Sequence, residues 1–171
     1  MDKLTGTVLI LTGCAGLLGC WYDRQKKRQR TVMAFVHLLS GWEYSLSCEK
    51  LRLSDFFARY KSPEPEVEKF LDSLLALVRA RQCPTGGELW QMALSDARRS
   101  LDLDEALFEM LLAAGNAFFG TDQRENIACA RASAVRLKEW LLRERTQFAQ
   151  KQKVYLPVGM LGGVLLVIFL L

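Results

Sequence analysis

LTGTVLILTGCAGLLGCWY, residues 4–22, carries no charged side chain. Wound as a helix at about 1.5 Å per residue it is roughly 28 Å long, which matches the roughly 30 Å hydrocarbon core of a bilayer. This stretch therefore reads as a transmembrane helix, and the far end of the chain repeats the pattern. Residues 154–171 are again uncharged, and VLLVIFLL, residues 164–171, has no polar side chain. Half of the 171 residues are hydrophobic. Their concentration at the two ends leaves residues 23–153 as one soluble module, long enough for a domain and too short to divide comfortably into two.

The charges frame these spans. Arg24, Lys26, Lys27, Arg28 and Arg30 directly follow the first, while Arg143, Arg145, Lys151 and Lys153 precede the second. By the positive-inside rule the middle domain is expected in the cytoplasm and both termini outside, with Lys3 alone opposing. The expectation is a two-pass cell-membrane protein. Trp21, Tyr22 and Tyr155 fall at the same interface, where amphipathic rings sit well. An apolar run behind a charged start also describes a secretory signal, but no small-x-small site precedes the basic cluster, and such a cluster resists translocation. Leu17-Leu18-Gly19-Cys20 has the look of a lipoprotein box; a lipidated cysteine, however, begins a polar tether, and Cys20 is followed by an aromatic pair and charges.

Between the spans the pattern is helical throughout, which gives an all-α fold, a helical bundle between N-terminal and C-terminal transmembrane helices. Val32, Phe35, Leu39, Trp42 and Leu46 recur at three-four spacing on a helix that continues out of the first span. Ser54 is placed to cap a short helix carrying Phe56, Phe57 and Tyr60, after which Pro63 and Pro65 reset the chain. Val67, Phe70, Leu71, Leu74, Leu77 and Val78 make the next buried face. Residues 82–87 break the pattern, and Leu89, Trp90, Ala93, Leu94 and Ala97 resume it. Asp102 and Glu105 have capping-box spacing, which starts a further helix near Leu103 and ends it near Gly115. Thr121 is then read as the cap of a last helix, with its stripe at Ile127, Ala130, Ala134, Leu137, Leu141 and Phe148. The first and last helices are expected to pair antiparallel as a spine for the shorter ones.

Signs of catalysis are missing. His37 is the one histidine and the five cysteines form no C-x-x-C pair, so no zinc-ligand spacing and no Cys-His nucleophile is legible. The odd number of cysteines also argues against a disulfide framework. No G-x-x-x-x-G-K-[ST] occurs, which excludes a P-loop ATPase. Asp102, Asp104 and Glu105 are better explained by helix starting than by acid-base work. No catalytic, cofactor-binding or metal residue is expected. The basic residues Arg24, Lys26, Lys27, Arg28, Arg30, Lys151 and Lys153 read as a membrane-surface set touching anionic lipid rather than nucleic acid.

The glycines of the spans carry more information. Gly6, Gly13 and Gly16, with Cys20, share one helix face, and Gly159 and Gly163 form G-x-x-x-G. Small residues let helices approach closely in lipid, so these faces are expected to pair, within one chain or between chains as a homo-oligomer.

Together this layout resembles the stage III sporulation protein AB family over the whole chain. The sequence from Gly115 to Asp122 looks like that family's G-x-x-x-G-x-x-D turn, with Gly120 shifted by one, and the Gly-punctuated terminal helix is similar. Trp90 falls where an Ala-Trp pair is usual, and Trp42-Glu43 through Leu51 corresponds loosely to an E-I-x-Y-x-x-T-P-L segment, with Leu46 at the tyrosine, Glu49-Lys50 in place of Thr-Pro, and Asn126 where glutamine is common. The resemblance implies a role in the channel joining mother cell and forespore, a domain like the cytoplasmic domains of type II secretion and type IV pilus platform proteins, and a secretion-type ATPase and other channel membrane proteins as partners. It implies no enzymatic activity. The alternative is a general secretion or pilus platform component outside sporulation.

Overall fold

The computed structural model describes residues 2–49, 51–80 and 85–170; for 2–11, 14, 15, 17, 18 and 151–170 it describes the backbone alone. The elements are α1 (Asp2–Tyr44), a π-helical turn (Ser45–Glu49), α2 (Leu53–Arg59), α3 (Pro65–Ala80), α4 (Gly86–Ala97), α5 (Glu105–Ala114), α6 (Asn116–Phe119) and α7 (Gln123–Leu170). No strand occurs among the described residues, as the helical periodicity predicts. The chain divides into two compact units, Arg28–Leu141 and the pair Met1–Lys27 with Leu142–Leu171.

The first of these units is built around α1. Val32, Phe35, Leu39, Trp42 and Leu46 are all buried, as their spacing requires, but so are Thr31, Ala34, Val36, Leu38 and Ser45. The burial wraps most of the helix rather than one stripe, because neighbours close over it from several sides. Phe70 of α3 meets Phe35 at 5.6 Å between ring centres, and Phe56 of α2 meets Trp42 at 5.1 Å. Glu43 accepts from Arg131 of α7, and Arg28 lies over the Trp140 ring, so within this unit α1 and α7 run antiparallel. The stripe of α7 is buried at Ala130, Ala134, Leu137 and Leu141. On α3 the buried positions are Val67, Phe70, Leu71 and Leu74, while Leu77 and Val78 are half-buried.

Helix ends correct the sequence reading in three places. Asp104, not Asp102, caps α5 by accepting from Leu107 N at 2.8 Å. Asp102 instead adopts a left-handed φ of 52°. Its N–H reaches Arg99 O at 3.3 Å and the next N–H, of Leu103, reaches Arg98 O at 3.1 Å, the double closure that ends a helix after its last turn. Asp122 rather than Thr121 caps α7, its carboxylate accepting from Arg124 N at 2.8 Å. Ser54 lies inside α2, whose N-terminal flanking residue is Arg52 and has no side-chain cap. Thr85 caps α4 by accepting from Glu88 N; residues 82–84 of the expected breaker run lie outside the described residues.

The expected turn from Gly115 to Asp122 contains a helical turn of its own, α6. Gly115 N–H points to Leu112 O three residues back, which closes α5 early. Two indoles then seize carbonyls on either side of the break. Trp90 Nε1 donates to Leu111 O at 2.9 Å and Trp42 Nε1 to Ala117 O at 2.7 Å. Phe118 sits between these indoles, 5.1 Å from Trp90 and 5.8 Å from Trp42. Gly115 has ordinary helical angles, so its glycine is demanded by space: a Cβ there would stand 2.4 Å from Trp90 Cδ1.

The transmembrane spans expected over 4–22 and 154–171 fall within α1 and α7, with most of their side chains outside the described residues. Among the described residues no helix is long and apolar enough to cross a membrane.

Candidate functional site

In the unit formed by Met1–Lys27 and Leu142–Leu171, the described side chains make a small clasp between α1 and α7. Trp21 stacks on Phe148 at 5.0 Å and Tyr22 meets the same ring at 5.7 Å. One turn further along, Gln25 Nε2 donates to Glu144 Oε1 at 2.5 Å. Lys26 places its ammonium 5.8 Å from the Tyr22 ring centre, a cation–π arrangement. Neither aromatic of α1 is sealed away, since Trp21 is 39% and Tyr22 40% exposed.

The residues singled out in the sequence are placed as follows. Arg24, Lys26, Lys27 and Arg30 are exposed. Arg28 is turned into the domain: its guanidinium lies 5.0 Å from the Trp140 ring centre and its Nη2 donates to Asp104 Oδ2, leaving its side chain 17% exposed. Little of its charge faces outward. Among the described residues Gly13 and Gly16 are exposed, and a Cβ built on either meets no described atom within 4 Å. Gly6, Gly159, Gly163, Lys151 and Lys153 lie in α1 and α7, outside the residues whose surroundings are described.

Sequence reading missed the Arg28–Asp104–Trp140 knot, because the signal is tertiary. Asp104 does two jobs there, capping α5 and pairing with Arg28 from α1. Replacing Asp104 by alanine should therefore destabilise the protein by about 1–2 kcal/mol, the cap supplying most of the loss. Asp104→Asn keeps the cap acceptor and should recover more than half of it. Urea unfolding followed by circular dichroism checks both.

Further out, the chemistry is that of a surface. His37 is exposed, Cys20 and Cys48 are exposed free thiols, and Cys129 is a half-buried one. Among the described residues no three His, Cys, Asp or Glu side chains gather in a way that could hold a metal. Lys61 and Glu68 hydrogen-bond at 2.9 Å, and this contact raises the lysine pKa and lowers that of the glutamate. Burial, with the Glu68 charge second, raises the pKa of Tyr60. A groove of about 510 Å³ between α3 and α4 is lined by small and apolar side chains such as Ala76, Leu77, Ala93 and Ala97 together with the charged Glu66, Lys69 and Asp96.

No curated protein and no solved structure matches the chain. The model of the family described as stage III sporulation protein AB matches residues 3–171, which is the span over which the sequence resemblance was drawn. With an all-helical architecture and a match running almost from end to end, this chain belongs to the stage III sporulation protein AB family.

Proposed function

We propose that this protein is a non-enzymatic, membrane-anchored structural component of a secretion-like sporulation channel, whose helical domain docks a cytoplasmic secretion-type ATPase. The family match over residues 3–171 carries the reading. The uncharged stretches 4–22 and 154–171 with their basic flanks support a reading of two membrane passes with residues 23–153 in the cytoplasm, which in a sporulation protein is the mother-cell side. Other channel membrane proteins are taken as partners of the spans. Glycine faces such as that of Gly13 and Gly16 suit close helix pairing in lipid, within one chain or between chains. A domain held together by aromatic packing and helix caps suits a docking role.

The test is recovery of partners. Full-length protein tagged in sporulating cells and solubilised from membranes should bring down an ATPase and several small membrane proteins. Presence in the membrane fraction with none of these partners would refute the adaptor role, and recovery of the same partners from cells that do not sporulate would favour the general secretion platform.

A further inference from the structure

We infer that the clasp between α1 and α7 is a binding collar for anionic phospholipid headgroups, in which Trp21, Tyr22 and Phe148 set the depth and Arg24, Lys26 and Arg145 supply the charge. The inference rests on the membrane reading above and gives the anionic lipid expected from the basic residues a defined site, with Phe148 and Arg145 of α7 as parts of it. Three observations carry it.

The rings come first. Trp21 and Tyr22 are each locked against Phe148, yet each keeps about two-fifths of its surface open, at 39% and 40%. A half-covered indole beside a half-covered phenol has an apolar body and a polar tip, the combination that settles at the boundary between acyl chains and headgroups. Position along the chain agrees, because the uncharged stretch that begins at Leu4 runs directly into Trp21.

Charge is the second observation. Between residues 23 and 27 stand Arg24, Lys26 and Lys27 against Asp23, and between 143 and 145 stand Arg143 and Arg145 against Glu144. The excess is cationic on both helices of the clasp. Cations at the membrane surface strengthen binding to anionic lipid by about fivefold each, whereas a purely zwitterionic surface would make no use of them.

The third is the coupling of the two. Lys26 sits over the Tyr22 ring, so its ammonium is held at the level of the aromatics instead of ranging freely. A phosphate at headgroup depth would meet this cation beside the two exposed rings. Lysine and arginine stems also lie well along such a surface with their heads in water.

Full-length protein reconstituted in vesicles of phosphatidylcholine, alone or mixed with phosphatidylglycerol, tests this by flotation and by mass spectrometry of the lipid retained on extraction. The expected result is insertion into both, with phosphatidylglycerol retained preferentially. Changing Arg24, Lys26 and Arg145 together to glutamine should leave insertion intact and reduce that preference by at least about fivefold, while Arg24→Lys, Lys26→Arg and Arg145→Lys together should retain it. Insertion of the wild type without any phosphatidylglycerol preference, or a glutamine variant that retains it unchanged, would overturn the collar and leave the membrane anchor standing. Failure to float with either vesicle would overturn both. Displacement of the retained lipid by single-stranded DNA at matched phosphate would show a general polyanion surface and overturn lipid selectivity.

Discussion

Trp90→Ala should be among the most damaging single changes in the protein, lowering its stability by about 3–5 kcal/mol. The indole is 1% exposed and contacts Phe70 edge-on at 5.2 Å and Phe118 in a stack at 5.1 Å. Truncation opens a cavity among rings too large to collapse into it. It also removes the donor to Leu111 O, a carbonyl at the broken end of α5. Trp90→Phe separates the two contributions. It keeps a ring in the stack and loses the hydrogen bond, so it should cost only about 1–3 kcal/mol. Thermal or urea melts of the full chain in detergent, read by far-ultraviolet circular dichroism, give both numbers. Equal losses for alanine and phenylalanine would show that packing contributes little there.

Gly115→Ala comes next, with an expected loss of about 1–3 kcal/mol. On backbone grounds alone the change should help, since φ of −56° and ψ of −32° are helical values at which alanine is favoured over glycine by roughly 0.5–1 kcal/mol. Space decides otherwise. The new methyl carbon would lie 2.4 Å from Trp90 Cδ1 and 2.7 Å from its Cγ, atoms near the root of a fully buried side chain that has no room to swing aside. The same physics predicts non-additivity. With Trp90 already replaced by alanine, adding Gly115→Ala should cost little or even help, because the methyl enters the vacated volume. A double mutant whose loss equals the sum of the single losses would disprove the contact.

Why the sequence revealed so much of the fold, and so little of the knot at Arg28, follows from the range of each signal. Val32, Phe35, Leu39, Trp42 and Leu46 mark a buried helix because their spacing is a local property of one helix. All five are in the core. Cap positions depend on a choice among neighbours: Asp102 and Asp104 are both acids before the same apolar run, and only the left-handed turn at Asp102 decides that Asp104 faces Leu107 N. The short α6 was hidden by Gly115 and Gly120, which read as turn residues although Gly115 is helical. For Arg28 there was no local sign at all. It stands in a basic run and reads like its neighbours, while its partners Asp104 and Trp140 come from α5 and α7. Of the candidate site, the aromatic and basic character near Trp21 was legible, but its clasp with Phe148 required the fold.

The antiparallel match of α1 with α7 also fixes a timetable. Arg131 bonds Glu43 across 88 positions of sequence and Gln25 bonds Glu144 across 119. Trp42 meets Phe56 soon after both leave the ribosome, whereas Ala117, which satisfies its indole N–H, emerges much later. At roughly 5–20 residues per second, synthesis of the intervening chain takes on the order of 5–20 s. Over that interval the apolar circumference of α1 lacks its final covering, and the nascent protein is at its most vulnerable to aggregation and proteolysis. Ribosome-bound chains halted before α7 should accordingly be the form that chaperones hold.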